Sequence, residues 1–339
     1  MNSQRASWLS IFSLLLVAAA GLGCRGEGAA PESTPSVLSP AAAVADSPAP
    51  DWQEAVAAWK QARHERLERP DGWLTLVGLS WLKLGDHRVG SDAASAVLLP
   101  AGKAPETVGV LTVEAGKVTF QAAPGVVVTS AGKPIATQVL VTDHDGDPTI
   151  LEHGPLSFFV IERAGRLAVR VRDREAETLK EFAGLDYYPL DPKWRLDARF
   201  EPAAEIREIP IPNAVGYDEP IKSPGHVVFA VDGKEFRLLA LDDTGDGRLF
   251  LVFGDPTNGA ETYGGGRFLY TDPPRAGKVV VDFNRAYNPP CVFTPFATCP
   301  LPPKGNKLPF PIRAGEKKYA HEAAHAATAT FAAPSSPGA

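Results

Sequence analysis

The sequence predicts a mainly β protein, with one N-terminal helix followed by two consecutive antiparallel β-units, the second a sandwich or a small barrel. Three observations predict it. The chain of 339 residues carries 32 prolines and 31 glycines, punctuation that suits short strands and tight turns better than long helices. Short runs of alternating apolar and polar residues recur between positions 108 and 283, separated by turns rich in Gly and Asp. The long stretch with helical spacing lies before Pro70.

Residues 1–24 hold Arg5, an apolar run over 8–20, and small residues ending at Cys24, which is the layout of an export signal. The run is too short to cross a bilayer comfortably. Ala20-Gly21-Leu22-Gly23-Cys24 resembles a bacterial lipobox, although Gly21 occupies the place where leucine is usual. The expectation is a signal peptide over 1–23, lipidation of Cys24, and a membrane anchor in the bacterial cell envelope. No acidic retention signal follows at Arg25 or Gly26, so the outer membrane, facing the periplasm, is expected. Residues 24–50 are almost all Ala, Pro, Ser, Gly and Glu and read as a disordered tether, because they hold too little bulky apolar surface to offset the entropy of ordering.

Asp51 and Glu54 read as a capping box for a helix over 53–68 that Pro70 ends, with Val56, Trp59, Ala62 and Leu67 on its apolar side. The run 73–82, around Gly78, suits a strand or a buried helical turn. Strands are predicted at 108–113, 117–121, 138–142, 157–163 and 166–173. In the last, Leu167, Val169 and Val171 face one way and Arg166, Arg170 and Arg172 the other. Ala164-Gly165 reads as a hairpin turn. The prolines at 189 and 192 break the pattern, placing a boundary near Leu190 between an N-terminal unit over 51–190 and a second unit over 191–319. That second unit opens with a strand at 195–201, forms a hairpin from 226–231 and 234–241 around Asp232-Gly233, and continues at 248–253, 267–270 and 278–283. Residues 320–339 read as a disordered tail.

Runs spread over roughly 52–318 resemble the bacterial domain-of-unknown-function family 1684. They are PDGWLTLVGLSWL at 70–82, GSD with VLLP at 90–100, FAGLDYYPLDPKWR at 182–195, ETYGGGRFLY at 261–270 and DFNRAYNPPCVFTPFATCPLPP at 282–303. The resemblance implies kinship and no activity. The first β-unit is also similar to a forkhead-associated sandwich through Gly90-Ser91-Asp92, Val97 to Pro100 and Gly132-Lys133. Ser91 stands where that fold places arginine, and the Ser-x-x-His element is missing from 104–109, so the charge-assisted clamp of a phosphopeptide site is not expected.

The formal charge of −6 argues against a nucleic-acid partner. No nucleophile elbow, phosphate-binding loop, dinucleotide fingerprint or Cys-x-x-Cys appears, so no cofactor is expected. Tyr263, Arg267, Asn284, Tyr287 and Asn288 are the candidate ligand residues, since a glycine run at 264–266 brings backbone amides near Arg267 while Pro289-Pro290 stiffens the loop carrying the asparagines. A turn scaffold is the competing reading. Cys291 and Cys299 read first as a disulfide, then as two buried thiols, then as a nucleophile. Asp143, Asp145 and Asp147 alternate as in a calcium loop, but Pro148 replaces the required glycine and a hairpin turn is expected. His321-Glu322-Ala323-Ala324-His325 has the zinc-protease spacing, yet no third ligand follows it. The expectation is a lipid-anchored envelope binding or structural module. The alternative is a hydrolase of a small polar or anionic envelope metabolite, its catalytic residues unassigned.

Overall fold

The computed structural model describes residues 50–320. The export signal, Cys24, the tether up to residue 49 and the His321 to His325 motif lie outside the described residues.

Helix α1 (Pro50–Glu68) buries Trp52, Val56, Arg63 and Leu67, which share one face at helical spacing, with Trp59 half-buried beside them. The predicted apolar side is corrected at one position: Ala62 is exposed, and the charged Arg63 takes the inward place. The capping box is also corrected. The helix begins at Pro50, so Asp51 lies in the first turn, where its charge faces the positive end of the helix dipole.

The run 73–82 resolves into a single 3-10 turn over Trp73–Thr75 and strand β1 (Leu76–Trp81). Then come β2 (Gly85–Gly90), β3 (Val97–Leu98), β4 (Gly109–Glu114), β5 (Lys117–Ala122), β6 (Val128–Ser130), β7 (Lys133–Ile135), β8 (Thr137–Leu140), β9 (Leu151–His153), β10 (Leu156–Arg163) and β11 (Arg166–Asp173). They make a six-stranded sheet, β1-β11-β10-β9-β6-β7, and a five-stranded sheet, β3-β2-β4-β5-β8. The two enclose one core, to which Leu111, Val118 and Phe120 come from one sheet and Phe158, Val160, Val169 and Val171 from the other. That is a sandwich. Gly90 is required there because a Cβ would stand 2.0 Å from the Glu106 carbonyl oxygen.

After the short helix α2 (Glu177–Lys180), the second unit is one antiparallel sheet. Its strands are β12 (Arg195–Pro212), β13 (Asp218–Val231), β14 (Lys234–Asp242), β15 (Leu249–Phe253), β16 (Arg267–Thr271) and β17 (Lys278–Asp282), in the order β16-β15-β14-β13-β12-β17. The sheet curls until its edge strands β16 and β17 approach, giving a half-barrel. Val227, Phe229, Leu238, Leu251, Phe253 and Phe283 fill its interior. The β13–β14 turn has φ of 51° at Asp232 and 72° at Gly233, the mirror-image turn predicted for that pair. Strands β12 and β13 run beyond their predicted ends. Their pairing breaks between Pro202 and Arg207 and resumes as far as Pro212 opposite Asp218, a ribbon masked in the sequence by prolines at 202, 210, 212 and 220.

From Phe283 to Ala320 the chain makes no named strand. Leu308, Ile312 and Ala314 join the half-barrel core, while Val292 and Phe293 pack on Leu67 and Leu74. Trp52 Nε1 donates to Asp282 at 2.7 Å, and Arg63 pairs with Glu316 at 3.0 Å. This segment therefore clasps α1, the sandwich and the half-barrel together.

Candidate functional site

The clasp leaves a cleft of about 1110 Å3 between the outer face of the six-stranded sheet and the outer face of β14 to β16, closed at one end by α1. Strand alternation sends Leu167, Val169 and Val171 into the sandwich core, so Arg166, Arg170 and Arg172 point toward the half-barrel side. Aromatic rings receive all three. Arg166 lies 4.1 Å from the Trp81 ring centre, Arg170 5.1 Å from that of Trp73, and Arg172 4.7 Å from that of Phe159.

Arg170 lines the cleft and is only 6% exposed. Its Nη2 donates to Thr298 Oγ1 at 3.0 Å and its Nε has no partner. Among the described residues no carboxylate pairs with it, because those nearby are already engaged: Arg163 holds Asp143 at 2.7 Å and reaches Glu219 at 3.9 Å. Burial, reinforced by the charge of Arg163, pushes Arg170 down to about 10. Burial also raises Glu219 above the ordinary glutamate range, against the pull of Arg163.

The opposite wall is aromatic. Phe250 stacks on Tyr270 at 4.8 Å, Tyr270 on Tyr287 at 6.4 Å, and Trp59 tilts against Tyr287 at 6.4 Å. Tyr287 is fixed by a pair of backbone bonds with Phe268, both 2.9 Å, and by the Arg63 guanidinium 4.8 Å over its ring. The Tyr270 hydroxyl donates to Asp243, and Arg248 covers its ring at 4.7 Å. Burial raises the pKa of both phenols, so they remain neutral donors.

Of the five candidate ligand residues read from the sequence, Tyr287 lines this cleft and the others are placed elsewhere. Arg267 is fully enclosed: Nη2 donates to Asp255 at 2.8 Å and to the Ile312 carbonyl at 2.7 Å, and Nη1 donates to the Ala314 carbonyl at 2.5 Å. Asn284 bonds both backbone groups of Asp191 and the Asp282 carboxylate. Asn288 donates to Glu316 and to the Lys317 carbonyl. Tyr263 packs against the cluster of Leu67, Leu74 and Phe293. Gly266 is tightly packed, since a Cβ on it would lie 2.7 Å from the Phe253 carbonyl oxygen. The hydrogen bonds of Asn284 and Asn288 brace the clasp, with the buried Asn288 Oδ1 left without a partner.

Asp143 accepts from the Glu162 amide and from Arg163, and Thr142 donates to Asp145, so the triple-aspartate run forms a turn. No cluster of metal-ligating side chains occurs among the described residues. The predicted disulfide is not formed in this structure; the Cys291 amide donates to Cys299 Sγ at 3.2 Å, and burial pushes the Cys299 thiol up. His226 on β13 lies beside Glu201 of β12 and near Arg237 of β14.

Sequence reasoning passed over Arg170, Trp73 and Trp59 as site residues. The one available signal was an arginine between Val169 and Val171 in the most regular strand, and alternation alone could not say what would cover it.

No curated protein matches this chain. Among solved structures, the solution NMR structure of an uncharacterised protein of Haloarcula marismortui is 29% identical, covering 41% of this chain and 78% of that one, with a TM-score of 0.35. The motifs at 70–82 and 90–100 fall outside the family match. Residues 180–317, which hold the half-barrel and most of its clasp, match the family DUF1684, described as a protein of unknown function.

Proposed function

We propose that this protein is a binding module for a small anionic ligand, held in the cleft between the sandwich and the half-barrel, and that an N-terminal lipid on Cys24 tethers it to the cell envelope. One observation carries the ligand reading: Arg170 is a buried guanidinium with a hydroxyl and a ring for company, and among the described residues no carboxylate lies within ion-pair distance of it, the nearby Asp143 and Glu219 being engaged by Arg163. Burying such a charge without a partner costs several kcal/mol, and an entering carboxylate, phosphate or sulfate would supply that partner through charge-assisted bonds. The neutral Tyr287 phenol on the facing wall adds a hydrogen-bond donor that suits the same anion, the Tyr270 hydroxyl being committed to Asp243. Binding is favoured over hydrolysis because the buried Cys299 thiol is held protonated and His226, grouped with Glu201 of β12 and Arg237 of β14, does not line the cleft.

Titration calorimetry with sulfate, phosphate and succinate tests the reading. Saturable binding of at least one of them is expected, weakened tenfold or more in Arg170→Met and partly kept in Arg170→Lys. Arg207→Met, on the exposed ribbon, serves as the control and should leave binding unchanged. Equal affinities in wild type and Arg170→Met would overturn the assignment. The tether is tested separately by mass spectrometry of the mature chain, where an unmodified Cys24 would remove it.

A further inference from the structure

The loop that holds Arg170 also carries two cysteines. Thr298, whose hydroxyl accepts from Arg170 at 3.0 Å, is the residue before Cys299, and the other end of the loop is the 3-10 turn over Pro290–Val292 that contains Cys291. Between them Thr294 donates to the Leu76 carbonyl at 2.9 Å and pins the loop to β1. The Cys291 amide donates to Cys299 Sγ at 3.2 Å, and the two side chains are themselves hydrogen-bonded. Their accessibility differs. Cys299 is 2% exposed and faces the cleft beside Arg170, whereas Cys291 is only partly buried.

We propose that Cys291 and Cys299 are a reversible disulfide site, oxidised by exchange with a low-molecular-weight disulfide, and that closing the bond locks the loop that orients Arg170. The more accessible Cys291, as its thiolate, attacks one sulfur of the small disulfide, forming a mixed disulfide and releasing one thiolate. Cys299 then attacks the Cys291 sulfur, expels the second small thiolate and yields its proton to it. Two electrons and two protons pass from the protein to the reagent, leaving one protein disulfide and two small thiols. Burial holds the Cys299 thiol protonated until Cys291 presents this electrophile, which assigns it the resolving rather than the attacking role. The ring that closes is short and already folded on itself, so little rearrangement is needed.

The thiol chemistry stands independently of the ligand; its coupling to the cleft rests on the anion reading above. The test uses the full chain, incubated with oxidised glutathione or with dithiothreitol and then cleaved with trypsin. The peptide 286–304 contains both cysteines and no internal Lys or Arg, so oxidation should appear as the loss of two hydrogen atoms from one peptide. Cys299→Ser should trap a glutathione adduct on Cys291, while Cys291→Ser should acquire none. The oxidised wild type should melt about 5 °C or more above the reduced form, because the short cross-link restricts the unfolded chain. A persistent adduct on wild-type Cys291, or an unchanged peptide mass, would overturn the disulfide site. Sulfate should bind at least threefold more tightly to the oxidised form, and equal affinities would overturn the coupling. Absence of binding of sulfate, phosphate and succinate in both forms, with the disulfide present, would instead overturn the anion reading.

Discussion

Arg267 is enclosed between Asp255 and the carbonyls of Ile312 and Ala314, whereas Arg170 has one threonine hydroxyl and the face of Trp73. The two guanidiniums are almost equally hidden, so the difference between them is electrostatic. Removing Arg267 strands a buried carboxylate, and Arg267→Met is expected to cost about 3–5 kcal/mol of stability. Removing Arg170 relieves a charge that burial already disfavours, and Arg170→Met is expected to gain about 1–2 kcal/mol. The sign follows from linkage. A folded pKa of about 10, below the ordinary 12.5, means that the penalty is fully present below pH 10 and is released only as pH rises from 10 toward 12.5. Urea unfolding of both variants near pH 7 checks the pair, and a destabilised Arg170→Met would show that the residue is structural.

Five two-residue turns share a left-handed first residue followed by a left-handed glycine: Ala115-Gly116, Ala131-Gly132, Ala164-Gly165, Asp232-Gly233 and Ala276-Gly277. Asp232 is suited to that conformation, since a short polar side chain tolerates it, but alanine is not. Each alanine therefore carries local strain of about 1 kcal/mol, imposed by the twist of the strands it joins. Replacing Ala164 or Ala276, at φ of 49° in both, with Asn is expected to stabilise the protein by about 0.5–1 kcal/mol each, nearly additively because the two turns belong to different sheets. Thermal midpoints of the single and double variants measure it. These turns were legible to different degrees. Asp232-Gly233 and Ala164-Gly165 lie between long alternating strands and stood out, whereas β6 and β7, three residues each, left too short a pattern around Ala131. The helix showed the converse failure, because a pattern that counts Arg63 as polar cannot anticipate the Glu316 carboxylate arriving from the far end of the chain.

Across the whole molecule the cleft combines charges of both signs, so its preference for anions depends on pH. Glu219, beside Arg163, has a raised folded pKa; its charged form costs stability above that pKa, and the cost disappears as pH falls through it. Protonation removes one negative charge from the neighbourhood of Arg163 and Arg170 while both guanidiniums stay charged. Sulfate affinity is therefore expected to rise severalfold as pH falls through the raised Glu219 pKa, while sulfate keeps its own charge. Glu219→Gln should flatten this dependence, and a pH profile unchanged by that substitution would remove Glu219 from the cleft's electrostatics.

The sequence by itself determined the β class, the leading helix, most strands of both units and the tight hairpin at Asp232, because alternation, turn chemistry and proline exclusion act over a few neighbouring residues. It also located the Asn- and Pro-rich segment that proved to be the clasp. What that segment covers was decided only by tertiary structure. Asn284, Asn288 and Arg267 look the same in sequence whether their donors meet a ligand or meet Asp282, Glu316 and Asp255. Arg170 looks like an ordinary outward strand residue until a loop more than a hundred positions later closes over it. Charge satisfaction is a property of contacts between distant segments, and local pattern holds no record of which partners arrive.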